Sequence, residues 1–101
     1  MQRKVLTLCG SIRFMDKILE VHEELELKGY VVIGIVQHVR ETPYTPEEED
    51  LLDVIHKVKI DIADGIYVVN VNGYIGSSTR SEIEYAKKNG KEIMYLVPPE
   101  A

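Results

Sequence analysis

The chain has 101 residues, of which 45% are hydrophobic and 29% charged, as is typical of a single globular domain that spans residues 1–101. Its net charge of -5 and its scattered lysines and arginines argue against a nucleic-acid surface. The single cysteine excludes an internal disulfide and, without a recognisable signal peptide, indicates a reducing cytoplasm. No apolar stretch approaches the roughly 20 residues that cross a bilayer, so we expect no membrane span.

The first third of the chain predicts a strand, a helix and a second strand. Residues 4–9 are a short apolar strand bounded by Gly10. Apolar residues with helical spacing then predict an amphipathic helix that ends at Gly29. These are Phe14, Ile18, Val21 and Leu25. Residues 30–36, YVVIGIV, are almost continuously apolar and β-branched, as is typical of a strand in a parallel sheet covered on both faces.

The rest of the chain repeats this alternation. Thr45, Pro46 and Glu48 have the pattern of a helix N-terminus: an N-cap, a proline at the first helical position and the glutamate of a capping box. We expect that helix to run to about Ala63. The remaining predicted elements are a strand at 65–71, a helix that ends at Asn89 and Gly90, and a strand at 92–97.

The order βαβαβαβ predicts a three-layer α/β/α fold of the flavodoxin or Rossmann-like type. We expect a short parallel sheet of about four strands in the order 2-1-3-4. Ligands bind such sheets beyond the carboxyl ends of the strands, where the strand order reverses. Here that point lies between the first and third strands, so the loops at 10–13 and 70–79 are the expected ligand site.

The first of these loops, CGSIR, is a glycine-serine turn that enters a helix. Gly10 allows close backbone approach, and Ser11 and Arg13 add hydrogen-bond donors beside the exposed amides of the turn. These features favour a phosphate group. The alternative is a plain strand-to-helix turn with a serine cap.

The second loop contains two glycines, at Gly73 and Gly76, followed by three consecutive hydroxyl residues, Ser77, Ser78 and Thr79. One of the three hydroxyls is expected to cap the following helix. Three in a row exceed that requirement. Two donor-rich loops that face one crevice therefore predict a phosphate or sugar ligand.

Glu82 follows these hydroxyls and is expected in the first turn of the third helix. An ionised carboxylate at a sugar site can attack an anomeric carbon or stabilise an oxocarbenium ion. The alternative interpretation is a structural one, in which Glu82 completes a capping box with Thr79.

The second helix carries two apolar stripes. The first is expected to face the sheet: Leu51, Ile55, Val58 and Ile62. The second, with Met15 and Leu19 of the first helix, is expected to form a homodimer interface: Leu52, His56, Ile60 and Ala63. His56 is thus either a packed or interface histidine or, with Asp53 one turn away, a catalytic group.

Four other polar or reactive residues are candidates for the site or its surroundings. His38 ends the second strand and is expected to face the crevice, with Arg40 and Tyr44 on the loop after it. Cys9 is expected to be a buried strand residue, because no base is identifiable beside it. No Cys/His group has zinc-ligand spacing, so we expect no metal and no cofactor.

The segments LCGSIR, QHV, IADGIYVVNV and GSSTRSEIEYA resemble the nucleoside 2-deoxyribosyltransferase superfamily over nearly the whole chain. The 2'-deoxynucleoside 5'-phosphate N-hydrolase branch is the most similar in function. The resemblance implies that Glu82 is the nucleophile that attacks the sugar. It also implies that the family assembles as oligomers that share sites. Where the family carries an aspartate on the second helix, this chain has His56, with Asp53 and Asp61 nearby.

The resemblance also implies which residues bind the substrate, a nucleoside or nucleotide. The phosphate positions correspond to Gly10, Ser11, Ile12, Arg13 and Ser77 or Ser78. Asn70, Tyr74, Gly76 and Thr79 are expected to complete the site. We therefore expect cleavage or transfer at an N-glycosidic bond. The alternatives are a non-catalytic nucleotide-binding or sensor domain, and an activity on another glycosylated or phosphorylated metabolite.

Overall fold

The computed structural model describes residues 2–99. The strands are β1 (Val5–Gly10), β2 (Val31–Ile33), β3 (Gly65–Val69) and β4 (Glu92–Tyr95). The helices are α1 (Met15–Leu27), α2 (Pro46–Asp61) and α3 (Ser77–Lys88). Short 3-10 turns lie at Ile12–Phe14 and Val71–Gly73. Within residues 2–99, no helix combines the length and the apolar character that spanning a membrane requires.

The four strands form one parallel sheet in the order β2-β1-β3-β4, which confirms the predicted topology. Thr7 of β1 pairs with Ile33 on one side and with Ile66 on the other. The edge strand β2 is shorter than the predicted strand at residues 30–36, because its pairing with β1 ends at Ile33. Beyond it the carbonyl oxygen of Gly34 accepts a hydrogen bond from Lys59 Nζ at 3.1 Å.

Alternate residues of β1 divide the core between the two faces of the sheet. Leu6 and Leu8 are fully buried in a cluster with Ile18 and Val21 of α1. Cys9 belongs to a second cluster, with Ile60 of α2 and Ile83 of α3 as members. Helix α1 therefore covers one face, and α2 and α3 cover the other. This arrangement is the three-layer α/β/α fold that the alternating elements predict.

Helix α2 begins as predicted, with a complete capping box. The Thr45 hydroxyl accepts a hydrogen bond from the Glu48 backbone N–H at 3.1 Å. The Glu48 carboxylate accepts one from the Thr45 N–H at 2.9 Å. Such reciprocal bonds satisfy two backbone donors that the first turn leaves free.

The prediction of which face of α2 packs on the sheet was wrong. His56 and Ile60 are buried, and Ala63 just beyond the helix is buried with them. The stripe that was expected to face the sheet is exposed instead: Leu51, Ile55, Val58 and Ile62, together with Val54. Polar contacts from β1 explain why this side of α2 is the buried one. Thr7 Oγ1 donates to the Lys59 carbonyl at 2.8 Å, and Cys9 Sγ lies 3.5 Å from His56 Nε2.

Candidate active site

A cavity of ≈ 380 Å³ lies where the sheet order reverses, beyond the carboxyl ends of β1 and β3. Its walls come from the β1–α1 turn, the segment after β2, helix α2 and the start of α3. It brings together most of the predicted site residues: Gly10, Ser11, Ile12, Asp53, His56, Tyr74, Gly76, Ser77, Ser78, Thr79 and Glu82. Three predicted site residues lie outside its lining: Arg13, His38 and Asn70.

The β1–α1 turn forms one end of the cavity. Ser11 Oγ accepts a hydrogen bond from the Arg13 backbone N–H at 3.4 Å, so the serine caps the short 3-10 turn. A Cβ atom at Gly10 would lie 3.0 Å from the Val69 carbonyl oxygen of β3. Close approach of the two strands therefore requires a glycine at this position, which is a structural reason beside the expected ligand approach.

The start of α3 differs from the prediction. The N-cap is Gly76, not a hydroxyl residue, and Ser77 is already the first helical residue. The first helical hydrogen bond there runs from the Arg80 N–H to the Gly76 carbonyl at 2.9 Å. The N–H groups of Ser77, Ser78 and Thr79 precede it and so lie outside the helical ladder. These donors border the cavity, where the helix dipole favours an anion.

This helix start also rules out the capping-box interpretation of Glu82. Thr79 is the third helical residue and is buried, so it is not an N-cap. Glu82 is the sixth residue of α3 and lies in its second turn rather than in the first. Its carboxyl group points inward with 12% of the side chain exposed. A largely buried carboxyl group at the wall of a cavity calls for an explanation other than helix capping.

His56 and Glu82, on the inner wall of the cavity, form a compact cluster with Cys9, which is fully buried behind them. His56 Nε2 lies 3.5 Å from Cys9 Sγ and 3.7 Å from Glu82 Oε1. The residues come from β1, α2 and α3, and both helices pack on the face of the sheet that carries the Cys9 side chain. Cys9 is a buried strand residue as expected, but a base does lie beside it. The expectation that none was present failed because tertiary packing creates the contact.

Burial shifts the protonation of all three groups. It lowers the pKa of His56 to about 4, and the positive charge of Lys59 acts in the same direction. It raises the pKa of Glu82 to about 7, although the neighbouring Cys9 thiol opposes the rise. Burial also raises the pKa of the Cys9 thiol. The imidazole is therefore neutral near pH 7, and its 3.7 Å approach to Glu82 is not an ion pair.

Further acidic and apolar side chains from α2 and the segment after β2 line the cavity, and the sequence analysis missed four of them. They are Ile35, Val36, Glu49 and Leu52. Glu49, Leu52, Asp53 and His56 follow the i, i+3, i+4, i+7 spacing of one helix face. Counting back from His56 with this spacing would have identified Glu49 and Leu52 as cavity residues from the sequence alone. Asp53 also pairs with Lys57 at 3.1 Å.

The three predicted site residues outside the cavity have other contacts. The Arg13 guanidinium lies over the Tyr74 ring, 4.6 Å from its centre. The His38 ring stacks on Tyr44 at 4.2 Å, and its Nε2 lies 2.8 Å from the Thr42 carbonyl oxygen. Asn70 is buried, with Nδ2 donating to the Val97 carbonyl at 2.8 Å and Oδ1 accepting from the Val97 N–H at 2.9 Å.

Comparisons of the chain with protein-family models, curated proteins and solved structures found no match. The function of the chain is therefore inferred from the residues and geometry of its cavity.

Proposed function

We propose that this protein cleaves or transfers the N-glycosidic bond of a (deoxy)nucleoside or its 5'-monophosphate, with Glu82 as the nucleophile. One observation carries the proposal: the largely buried Glu82 carboxyl group shares a single cavity with the free N–H groups at the start of α3 and with the β1–α1 turn. The resemblance of the two loop motifs to nucleoside 2-deoxyribosyltransferases supports the same assignment.

The two ends of the cavity suit the two ends of a nucleotide. The N–H groups of Ser77 and Ser78 and the hydroxyls beside them favour a phosphate, because charge-assisted hydrogen bonds stabilise an anion there. Ile35, Val36 and Leu52 give the cavity apolar area against which a flat base can pack. The sugar then lies between them, beside Glu82.

In the proposed reaction, an oxygen of the ionised Glu82 carboxylate attacks the anomeric carbon C1'. The bond between C1' and the base nitrogen breaks, and the base leaves with the electron pair and takes up a proton. Water then attacks C1' in hydrolysis, or a second base does so in transfer, and the carboxylate is released. Burial leaves this carboxylate poorly solvated, which favours its use as a nucleophile once ionised.

We assign the role of assisting base departure to Asp53 rather than to His56. Asp53 lines the same cavity, one helical turn from His56. His56 is a neutral imidazole whose Nε2 already lies against Cys9 and Glu82. His56 therefore acts as a positioning residue that packs beside the Glu82 carboxyl group.

The test measures free base after incubation with a panel of nucleosides and 5'-monophosphates, using native protein and the Glu82→Gln variant. We expect native protein to release base, with monophosphates preferred over nucleosides. Glu82→Gln should keep nucleotide binding and lose turnover by several orders of magnitude, as when a nucleophile is removed. Glu84→Gln is the matched control, because Glu84 is an exposed glutamate on the same helix.

Two outcomes would contradict this assignment. Undiminished turnover in Glu82→Gln would remove Glu82 from the mechanism. If native protein bound a monophosphate tightly and released no base from any member of the panel, the chain would be a nucleotide-binding or sensor domain instead.

A further inference from the structure

The Cys9–His56–Glu82 cluster has a geometry that hydrogen bonding alone does not require. The three possible ligand atoms, one each of sulfur, nitrogen and oxygen, all lie within 4.8 Å of one another. In a tetrahedral zinc site, bonds of about 2.3 Å to sulfur and about 2.0 Å to nitrogen put those two atoms about 3.5 Å apart. The Sγ–Nε2 distance here is 3.5 Å.

The second edge of the cluster fits the same ion. Zinc bonds of about 2.0–2.2 Å to nitrogen and oxygen put those atoms about 3.4 Å apart. His56 Nε2 and Glu82 Oε1 are 3.7 Å apart, so a small movement of the carboxylate would close the edge. Two edges of a zinc tetrahedron are thus nearly formed by side chains from three separate elements.

The donor types select among metal ions. A thiolate and an imidazole favour zinc and related transition metals, whereas magnesium and calcium prefer oxygen ligands alone. Three protein ligands leave the fourth tetrahedral position to water or another small ligand. His56 and Glu82 line the cavity, with Cys9 fully buried behind them, so the fourth position would open into the cavity.

The surroundings also suit a cation. The cavity lining within residues 2–99 includes the carboxyl groups of Glu49, Asp53 and Glu82, and it includes no lysine or arginine. The carboxylates attract a divalent ion toward the cluster, against the opposing charges of Lys57 and Lys59 nearby. Entry is through the cavity itself.

We propose that Cys9 Sγ, His56 Nε2 and a Glu82 carboxylate oxygen together bind one zinc ion, with its fourth position facing the cavity. This site goes beyond the proposed function and does not rest on it, because metal binding is measured without nucleotide. If both proposals hold, zinc occupies the carboxylate that attacks the sugar, and added zinc inhibits base release.

The experiment uses cobalt(II) as a spectroscopic probe of native protein first stripped with a chelator. We expect one cobalt ion per chain, with tetrahedral d–d bands and a thiolate-to-cobalt charge-transfer band in the near ultraviolet. Cys9 is the single cysteine of the chain, so that band has one possible source. Zinc should abolish the bands by displacement, and magnesium should leave them unchanged.

Variants then assign the other two ligands. His56→Gln and Glu82→Gln should weaken cobalt binding by more than about 100-fold, beyond the 10–100-fold loss that follows removal of a ligand's outer partner. Cys9→Ser should remove the charge-transfer band. His38→Gln is the matched control for loss of an imidazole, because His38 lies outside the cavity, and it should bind cobalt as native protein does.

The native protein alone keeps the test decisive if a variant fails to fold. X-ray absorption of the zinc-loaded chain should show one sulfur and three lighter ligands. The absence of a charge-transfer band in native protein would overturn the proposal. So would zinc bound by nitrogen and oxygen only, or undiminished cobalt binding in folded His56→Gln and Glu82→Gln.

Discussion

The two sides of helix α2 are both rich in apolar residues, yet they have opposite environments. One side buries His56 and Ile60 against the sheet. The other leaves Leu51, Val54 and Ile62 more than half exposed, at 58%, 56% and 67%. Apolarity alone would favour burial of the second side, because it carries no histidine. The buried side is instead the one whose polar group finds a partner on β1.

The difference shows how a few polar contacts can decide the orientation of a helix. Turning α2 to bury the exposed side would carry His56 toward solvent and separate it from Cys9 and Glu82. It would also break the bond from Thr7 Oγ1 to the Lys59 carbonyl and leave a hydroxyl of a fully buried residue without its acceptor. Unpaired buried polar groups cost about 1–3 kcal/mol each. The apolar side left exposed is then available to a partner.

The largest expected effect comes from truncating matched isoleucines on the two sides. Ile60→Ala should lower the free energy of unfolding by about 2–5 kcal/mol, because it opens a cavity in the core. Ile55→Ala, on the exposed side of the same helix, should cost about 1 kcal/mol or less. Urea unfolding of the two variants at low protein concentration measures both. Equal losses would contradict the observed orientation of α2.

The fold was predictable because each element carries a local signal. The apolar runs of β1 and β3, the helical spacing in α1 and the capping box at Thr45 and Glu48 all lie in short segments. The cavity loops followed from the strand order. The orientation of α2 did not follow, because two similar stripes compete and the deciding contacts come from β1.

The inner cluster was beyond sequence analysis for the same reason. Cys9 and His56 are 47 positions apart, and spacing gives no sign that they touch. In the sequence, Cys9 has the features of an ordinary strand residue, and its contact with His56 exists only once α2 packs over β1. The start of α3 was mispredicted for a different reason, because Gly76 serves as the N-cap although three hydroxyl residues follow it.

A second prediction concerns the titration of His56, on the buried side of α2, and of its neighbour Glu82. It applies to metal-free protein with a chelator present. The pKa of Glu82 rises from 4.5 to about 7, so the folded chain holds a proton that the unfolded chain releases. Its contribution to the free energy of unfolding therefore falls as pH rises from 4.5 to 7. The pKa of His56 falls from 6.5 to about 4, so its contribution rises as pH goes from 4 to 6.5.

The two variants should therefore diverge from native protein in opposite directions. As pH rises, Glu82→Gln should gain stability relative to native protein, and His56→Gln should lose it, each by up to about 3 kcal/mol. Denaturant unfolding between pH 4 and pH 7.5 gives both difference curves. The double variant shows whether the two contributions add. Difference curves with the same slope would contradict the opposite shifts.

The smallest expected effect concerns the exposed side of α2, for which we propose a second copy of the chain as partner. Five exposed apolar side chains form one stripe along this side, and two-fold packing on a copy buries both stripes at once: Leu51, Val54, Ile55, Val58 and Ile62. This replaces the interface first predicted around Ile60, which is fully buried.

The same two-fold arrangement indicates where to break the dimer. Val54 lies at the middle of α2 (Pro46–Asp61), where antiparallel copies of the helix cross. Val54→Glu puts two like charges there and should weaken the dimer about 10- to 100-fold, or about 1.4–2.7 kcal/mol. Leu27→Glu, an equally drastic change at an exposed site at the end of α1, should leave it intact. Sedimentation equilibrium separates the cases, and a native monomer at high micromolar concentration would reject the dimer.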